Sequence, residues 1–412
     1  MSDVKTLKLK NGISLILAPK KETKIIDVVI SFRVGGRYED QKKSGISHFY
    51  EHMMFDGTKN RPTANAIAKE VDAMGARFNA STWDEYTTYY ISASDNYLSK
   101  AIEILGDMLS NSLLLEKDVK KEKNVIVEEI KMNQDMPAEQ VIELFDKTIF
   151  NGDPLSGNIS GDYKTVNSIS KKDLENFRDK FYVAENCYVG IGGNFVKFSE
   201  EEIIRLIEKN LILKNGQPTE IFPAKVSSIK ENYSTKDTAQ TNLIAGFIGP
   251  AYNSEEYYSF SVLATILGGN MSSRMFSKIR EELELAYDVR TDINCTTTIG
   301  SISTQAGVPN EKFADALAAI SGEYQRIKKD LSPEEVENAK TYQIGHSKLS
   351  FENSYNTAYF ILKYYFTTGK LTTVEEIIDK INSVTFNDVK KVAEKYLIAD
   401  RMTVTAIGPK VK

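Results

Sequence analysis

Cysteine is scarce in this 412-residue chain, which contains only Cys187 and Cys295. Two cysteines can build neither a disulfide framework nor a thiolate zinc cluster, so we expect both to be small core residues. Histidine is almost as rare, with three residues. An imidazole metal site can therefore draw only on His48, His52 and His346, and we expect the isolated His346 to be structural.

Long apolar runs are also missing. No stretch of the sequence is long and apolar enough to predict a membrane-spanning helix. The N-terminus has neither the apolar region of a signal peptide nor an arginine-rich transit segment, so we expect a cytoplasmic protein. The net charge of −5 gives no basic surplus, and we expect neither nucleic acid nor membrane among the partners.

The composition that remains is typical of a folded protein, with 41% apolar and 26% charged residues. A chain of this length is too long for one ordinary hydrophobic core, which favours two domains. The pattern of apolar residues predicts an α+β fold, in which each domain has an antiparallel-rich sheet covered by helices. Helices are predicted at 44–55, 63–74, 96–113 and 116–134, and paired strands at 77–82 and 87–93.

An internal repeat indicates how the domains arose. Residues 166–194 align without a gap with residues 381–409, and the pair Asn167-Ser168 recurs as Asn382-Ser383. Both copies have the pattern of a capped helix, a turn and a strand that ends at glycine. Duplication explains this better than two unrelated helix–strand units. We therefore predict homologous domains at 1–214 and 224–412, joined by a linker at 215–223 that contains glycine and proline.

The most informative segment is HFYEH at 48–52. Residues four apart share one face of a helix, so His48 and His52 can present two imidazole nitrogens to one cation, with Glu51 beside them. Zinc binds imidazole nitrogen and carboxylate oxygen, and a catalytic site keeps one position open for water. Glu51 can then accept a proton from that water. The alternative is an exposed helix with two incidental histidines, which the rarity of histidine disfavours.

Two histidines do not complete a zinc site, and a carboxylate from another element must supply the third ligand. The best source is the segment KEKNVIVEEIKMN at 121–133. Glu122 and Glu129 lie two helical turns apart and face the same way, while Glu128 points elsewhere. Taken alone, this segment is more typical of a solvated charged helix.

Four segments carry a family resemblance: GISHFYEHMMFDGTKNRP, RFNASTWDEYTTYY, KNVIVEEIKMNQD and LGGNMSSRMFSKIREELELAYDV. In this order they resemble the zinc helix, the edge strand of the active site, the distal ligand helix and the second-domain signature of one family. It is the pitrilysin (insulinase) family of metallopeptidases with the inverted zinc motif HxxEH, and the chain especially resembles the short members related to the mitochondrial processing peptidase. The match extends over nearly the whole chain.

The resemblance implies a role for each residue of the candidate site. His48, His52 and Glu129 would bind one zinc ion per chain, and Glu122 would orient a histidine ligand. Glu51 would be the general base that activates the zinc-bound water.

The resemblance also implies residues that bind the substrate. Arg280 and Tyr287 match a pair that binds the peptide backbone and polarises the scissile carbonyl. Without the resemblance, we would expect Arg280 to be a surface charge and Tyr287 to be a core residue of a strand. Asn79, Ala80 and Ser81 match the edge strand, which would add an extended peptide to the sheet.

The second domain lacks a metal motif, since the repeat equivalent of 48–52 contains no histidine. Members of the family enclose their substrates in a chamber of four such domains, so the resemblance implies a dimer of this two-domain chain. We expect a homodimer, with a heterodimer that includes an inactive partner left open. The predicted function is a zinc-dependent endopeptidase that hydrolyses extended peptides or unfolded segments. The alternative is a non-catalytic or peptide-binding subunit, which the complete motif disfavours.

Overall fold

The computed structural model describes residues 4–409, which form two sheets. The strands of the first sheet are β1 Lys5–Lys8, β2 Ser14–Pro19, β3 Ile25–Phe32, β4 Arg77–Thr82, β5 Thr87–Ser94 and β6 Cys187–Gly193. The strands of the second sheet are β7 Glu231–Thr235, β8 Thr241–Gly249, β9 Asp288–Cys295, β10 Gly300–Val308 and β11 Thr403–Gly408.

Helices occupy most of the remaining chain. Those of the first half are α1 Ile46–Met53, α2 Ala64–Ala73, α3 Leu98–Asn111, α4 Glu116–Gln134, α5 Pro137–Ile149, α6 Tyr163–Ser168, α7 Lys171–Phe181 and α8 Glu200–Asn210. Those of the second half are α9 Tyr257–Gly268, α10 Phe313–Asp330, α11 Pro333–Phe351, α12 Ser354–Thr368, α13 Val374–Asn382 and α14 Phe386–Tyr396. A π-helical segment, Phe276–Glu282, follows α9.

Apart from the additional edge strand β1 of the first sheet, the two sheets share one strand order. The first is ordered β1-β2-β6-β3-β5-β4 and the second β7-β11-β8-β10-β9. In each, one pair is parallel, β2 with β6 and β7 with β11, and every other pair is antiparallel. The predicted fold class, two helix-covered sheets that are rich in antiparallel pairs, is confirmed. The shared order is what an internal duplication produces.

The compact units of the structure interleave along the chain. The first contains residues up to 130, 157–220 and 348–376, and the second contains 131–156, 221–347 and the residues from 377 onward. Each half of the chain thus gives one helical segment to the other unit. The predicted boundaries at 214 and 224 describe the two copies of the duplicated sequence, whereas the compact units are defined by packing. The boundaries therefore remain a prediction.

Helix α12 is the segment that the first unit receives, and it lies against β6, β3 and β2. Two glycines of β6 permit this approach. A Cβ atom at Gly192 would lie 2.7 Å from the Cβ of Ala358, and one at Gly190 would lie 2.8 Å from a methyl of Leu362. The opposite face of the first sheet carries the main core of this unit, to which α1 and α3 contribute. Both faces of the central strands β2, β3 and β6 are therefore buried.

Candidate metal centre

Helix α1 has one apolar face. It begins after Gly45, whose φ of 92° lies in the left-handed region that favours glycine. Ile46, Phe49, Tyr50 and Met53 recur at helical spacing and are buried in the core. Because these side chains fix the rotation of the helix, the histidines of the motif lie on its opposite face.

A partly buried carboxyl group holds the start of α1. Glu39 accepts hydrogen bonds from the backbone N–H groups of Gly45 and Ser47, each at 2.7 Å. These groups lie in the first turn of the helix, where backbone donors have no partner within the helix. Sequence analysis did not identify Glu39, because its role depends on the fold of the loop before α1.

Three side chains converge on one point. The Nε2 atoms of His48 and His52 lie 3.3 Å apart, and Oε2 of Glu129 on α4 lies 3.8 Å and 3.7 Å from them. Two ligands of a tetrahedral zinc, each about 2.0–2.2 Å from the ion, lie about 3.4 Å apart. The two nitrogens therefore have the spacing of zinc ligands, and the carboxylate needs to approach by only a few tenths of an ångström.

The charges around these side chains also favour a cation. Burial, together with the neighbouring His52, lowers the pKa of His48 to about 3, so its imidazole is neutral at neutral pH and keeps a lone pair. Burial alone would lower the pKa of His52, yet the carboxylates of Glu122, Glu51 and Glu129 raise it above its usual value. Both effects fit a metal centre, since a neutral imidazole is a ligand and the carboxylates attract positive charge.

Glu122 determines which nitrogen of His52 faces the candidate metal position. Its Oε2 lies 3.1 Å from Nδ1 of His52, and its Oε1 accepts a hydrogen bond of 2.8 Å from Lys121. Burial raises the pKa of Glu122, but the bonds to His52 and Lys121 outweigh it and lower the pKa below its usual value. An ionised Glu122 accepts a hydrogen bond from Nδ1–H of His52. The proton stays on Nδ1, so the lone pair of Nε2 is free to bind a metal.

Glu51 is buried and is hydrogen-bonded from a strand. The hydroxyl of Thr82, the last residue of β4, donates to Oε2 of Glu51 at 2.5 Å. Burial raises the pKa of Glu51 and the nearby Glu129 adds to this, while the bond from Thr82 and the charge of His52 lower it, and the pKa remains raised overall. A carboxylate with a raised pKa is a better proton acceptor. The sequence did not single out Thr82, although it directly follows the predicted edge-strand residues.

Strand β4 lies at the edge of the first sheet, since β5 is its only neighbour among the described residues 4–409. Asn79, Ala80 and Ser81 lie in its middle, and the side chain of Asn79 accepts a hydrogen bond of 2.9 Å from the N–H of Ala80. An edge strand has unpaired backbone groups that can bind another strand. The structure thus places these residues on an edge strand, the position that the family resemblance implied.

Arg280 and Tyr287 belong to the second unit, where they contact each other. The guanidinium carbon of Arg280 lies 4.8 Å from the ring centre of Tyr287 and 4.6 Å from that of Phe276. Tyr287 is 84% exposed, so it is not the core residue that the sequence alone favours. Its hydroxyl and the guanidinium are both available as donors to a ligand at this surface.

Within residues 4–409, the group of His48, His52 and Glu129 is the only set of three potential metal ligands of its kind that lie close together. In the same part of the chain, no helix is both long and apolar enough to cross a membrane.

Comparison with known proteins supports these observations. Residues 15–162 match the family described as insulinase (peptidase family M16), and residues 168–342 match the peptidase M16 inactive domain. An uncharacterized zinc protease of Rickettsia bellii is 35% identical over 404 residues, which cover 98% of this chain and 97% of that protein. The uncharacterized zinc protease YmxG of Bacillus subtilis is 30% identical over 400 residues, 96% of each chain.

The chain belongs to the insulinase family of peptidases, M16. The resemblance inferred from the four sequence segments is thereby confirmed. A crystal structure of a protease from Helicobacter pylori shows the same fold, with a TM-score of 0.89 at 23% identity over 99% of this chain and 100% of that chain. Membership of the M16 family supports a metallopeptidase that uses zinc and acts on peptides.

Proposed function

We propose that this M16 protein is a zinc-dependent endopeptidase that cleaves extended peptides and unfolded protein segments. The observation that carries the proposal is the convergence of His48, His52 and Glu129 within ligand spacing, with a buried Glu51 on the same helix as the two histidines. A structural zinc site uses four protein ligands, whereas three leave a position open for the reaction.

The side chains divide the work of hydrolysis among them. His48, His52 and Glu129 would hold the zinc ion, and Glu122 keeps His52 in the required orientation. When bound, zinc supplies Lewis acidity, which promotes attack by water on a peptide carbonyl. Glu51 accepts a proton from the attacking water and passes it to the departing amine.

The substrate pairs with the edge of the first sheet. Asn79, Ala80 and Ser81 offer the backbone groups of an edge strand, which recognise any extended chain through main-chain hydrogen bonds. Folded proteins keep their backbone paired, so this mode favours unfolded segments. Arg280 and Tyr287 donate hydrogen bonds to the peptide backbone and to the carbonyl oxygen as negative charge develops on it.

The active form is a homodimer with one zinc ion per chain. Members of this family enclose their substrates with four domains, and this chain supplies two of them while carrying both the metal motif and the Arg280/Tyr287 pair. Light scattering should give twice the chain mass of 46.3 kDa, and metal analysis should give one zinc per chain. A monomer with full activity would contradict this part of the proposal.

The decisive experiment replaces the base. Glu51→Gln keeps the volume of the side chain and removes its ability to accept a proton. We expect unchanged zinc content and a loss of cleavage of about a hundredfold or more, measured by single-turnover hydrolysis of a peptide mixture with mass-spectrometric detection. Wild-type protein should lose activity with a chelator and regain it with zinc.

Two outcomes would reject the proposal. Normal cleavage by Glu51→Gln would show that another group is the base. Wild-type protein that binds zinc and peptide but never cleaves would instead identify a non-catalytic subunit of the same fold. The complete set of His48, Glu51, His52 and Glu129 favours the enzyme.

A further inference from the structure

Thr82 is the residue through which the edge strand contacts the proposed base. It is the last residue of β4 and pairs with Thr87 of β5. Side chains alternate along a strand, so Phe78, Ala80 and Thr82 share one face. Phe78 and Ala80 pack against the main core of the first unit, and this face is the one that α1 contacts.

The hydroxyl of Thr82 has one proton, and that proton is committed to Glu51. The distance of 2.5 Å from Oγ1 to Oε2 is that of a bond from a hydroxyl to a carboxylate. Within residues 4–409, Thr82 is the only hydrogen-bond donor to the Glu51 side chain. The neighbouring Ser81 hydroxyl lies on the opposite face and accepts a hydrogen bond of 3.1 Å from Trp83.

This contact distinguishes the two oxygens of the carboxylate. Oε2 accepts from Thr82, while Oε1 remains available to accept another proton. A glutamate side chain without such a contact moves among several rotamers. Only the rotamer that points an oxygen at the water can accept its proton, so the others must be disfavoured. A bond from a rigid strand removes this freedom.

We propose that Thr82 is a positioning residue for the base: its hydroxyl holds Oε2 of Glu51, so that Oε1 faces the attacking water. This inference rests on the proposed function of Glu51. Because Thr82 directly follows Asn79, Ala80 and Ser81, one strand both binds the peptide backbone and orients the group that receives the proton.

Three variants test the proposal on the full-length protein. Thr82→Val has the same shape without the hydroxyl, and Thr82→Ser keeps the hydroxyl. Thr88→Val is the matched control, since Thr88 is a buried threonine on the opposite face of the same sheet, where its hydroxyl lies 2.7 Å from that of Ser31.

We expect Thr82→Val to lower kcat about tenfold to a hundredfold, the usual effect of losing a hydrogen bond to a charged group. KM should stay within about twofold and zinc content should not change, because the hydroxyl contacts neither the peptide backbone nor the ligands. Thr82→Ser should restore most of kcat, and Thr88→Val should match the wild type. An unchanged kcat in Thr82→Val, a change in KM alone, loss of zinc, or no rescue by serine would each overturn the role.

A second measurement does not depend on activity. The free energy of unfolding is determined for Glu51→Ala, Thr82→Val and the double variant. Both single variants remove the same contact. The sum of their two losses of unfolding free energy should therefore exceed the loss in the double variant. Strict additivity would show that the two side chains do not interact.

Failure of this inference differs from failure of the proposed function. Wild-type protein that never cleaves peptides, or Glu51→Gln with normal activity, would reject the function itself. Normal turnover by Thr82→Val in a protein that needs Glu51 would reject only the role of Thr82.

Discussion

Glu122 contacts a candidate metal ligand without belonging to the ligand group itself. Its carboxylate contacts Nδ1 of His52 at 3.1 Å and is held in turn by Lys121. The bond fixes both the ring orientation and the tautomer of the histidine. A carboxylate partner also makes a histidine a stronger ligand, so we expect the contact to affect metal affinity as well as geometry.

We therefore predict that Glu122→Gln weakens zinc binding about tenfold to a hundredfold. The matched control is Glu128→Gln on the same helix, because Glu128 is exposed and lies outside the ligand group. Competition with a chromogenic chelator measures both affinities. Equal zinc affinity in wild type and Glu122→Gln would show that the contact has no such role.

The residues of the metal centre differ in how far the sequence could identify them. His48, Glu51 and His52 belong to one helix, so helical spacing alone places them together. The roles of Glu129 and Glu122 could be predicted only from the family resemblance, because a charged helix of this kind is also typical of a protein surface. Thr82 and Glu39 could not be assigned, because their contacts with α1 depend on a strand and a loop.

At the scale of elements, Asp27 links three of them. This buried residue of β3 accepts hydrogen bonds from Ser92 of β5 and, at 2.5 Å, from Ser354 at the start of α12. Burial raises the pKa of Asp27, and the two serine bonds only partly oppose it. The folded state therefore binds the Asp27 proton more strongly than the unfolded chain does.

The sign of the pH dependence follows from this raised pKa. Asp27 favours the folded state most at low pH, and this contribution is lost as pH rises from the unfolded pKa through the folded one. Asp27→Asn should remove the dependence, so the stability of the variant relative to wild type should rise over that window. Urea unfolding at a series of pH values measures this, with Asp72→Asn, an exposed site on α2, as control. A difference that does not vary with pH would contradict the prediction.

Individual elements were largely predictable. The helix predicted at 116–134 is α4, and the strand predicted at 77–82 is β4. Helix α1 is shorter than predicted, Ile46–Met53 instead of 44–55, because Gly45 adopts a left-handed φ and ends the helix on that side. Local patterns fix the type of an element better than its ends, where a single residue decides.

At the scale of the whole molecule, the exchange of helices makes each half of the chain incomplete. The first unit includes 348–376, which contains α12, and the second includes 131–156, which contains α5. Ile361, Leu362 and Phe366 of α12 are buried with Ile16 of β2. Apolar surface on both partners would be exposed to water if α12 were removed.

A fragment that ends at residue 214 should therefore fail to fold into a stable zinc-binding domain. It lacks α12 and carries α5 without the strands β8 and β11 on which that helix packs. We expect strong binding of a hydrophobic dye and loss of cooperative unfolding, compared with the full chain. A fragment that unfolds cooperatively and binds zinc as tightly as the full chain would contradict this.

The sequence by itself determined the family and the fold class. It also determined that His48, Glu51 and His52 lie together, because a helix brings residues three and four apart together without help from the rest of the chain. Tertiary structure decided which distant groups complete the centre: the approach of Glu129 and Glu122, the bond from Thr82 and the capping by Glu39. It also decided which unit α5 and α12 join. No local pattern contains these choices, since each depends on how buried apolar surfaces bring remote segments together.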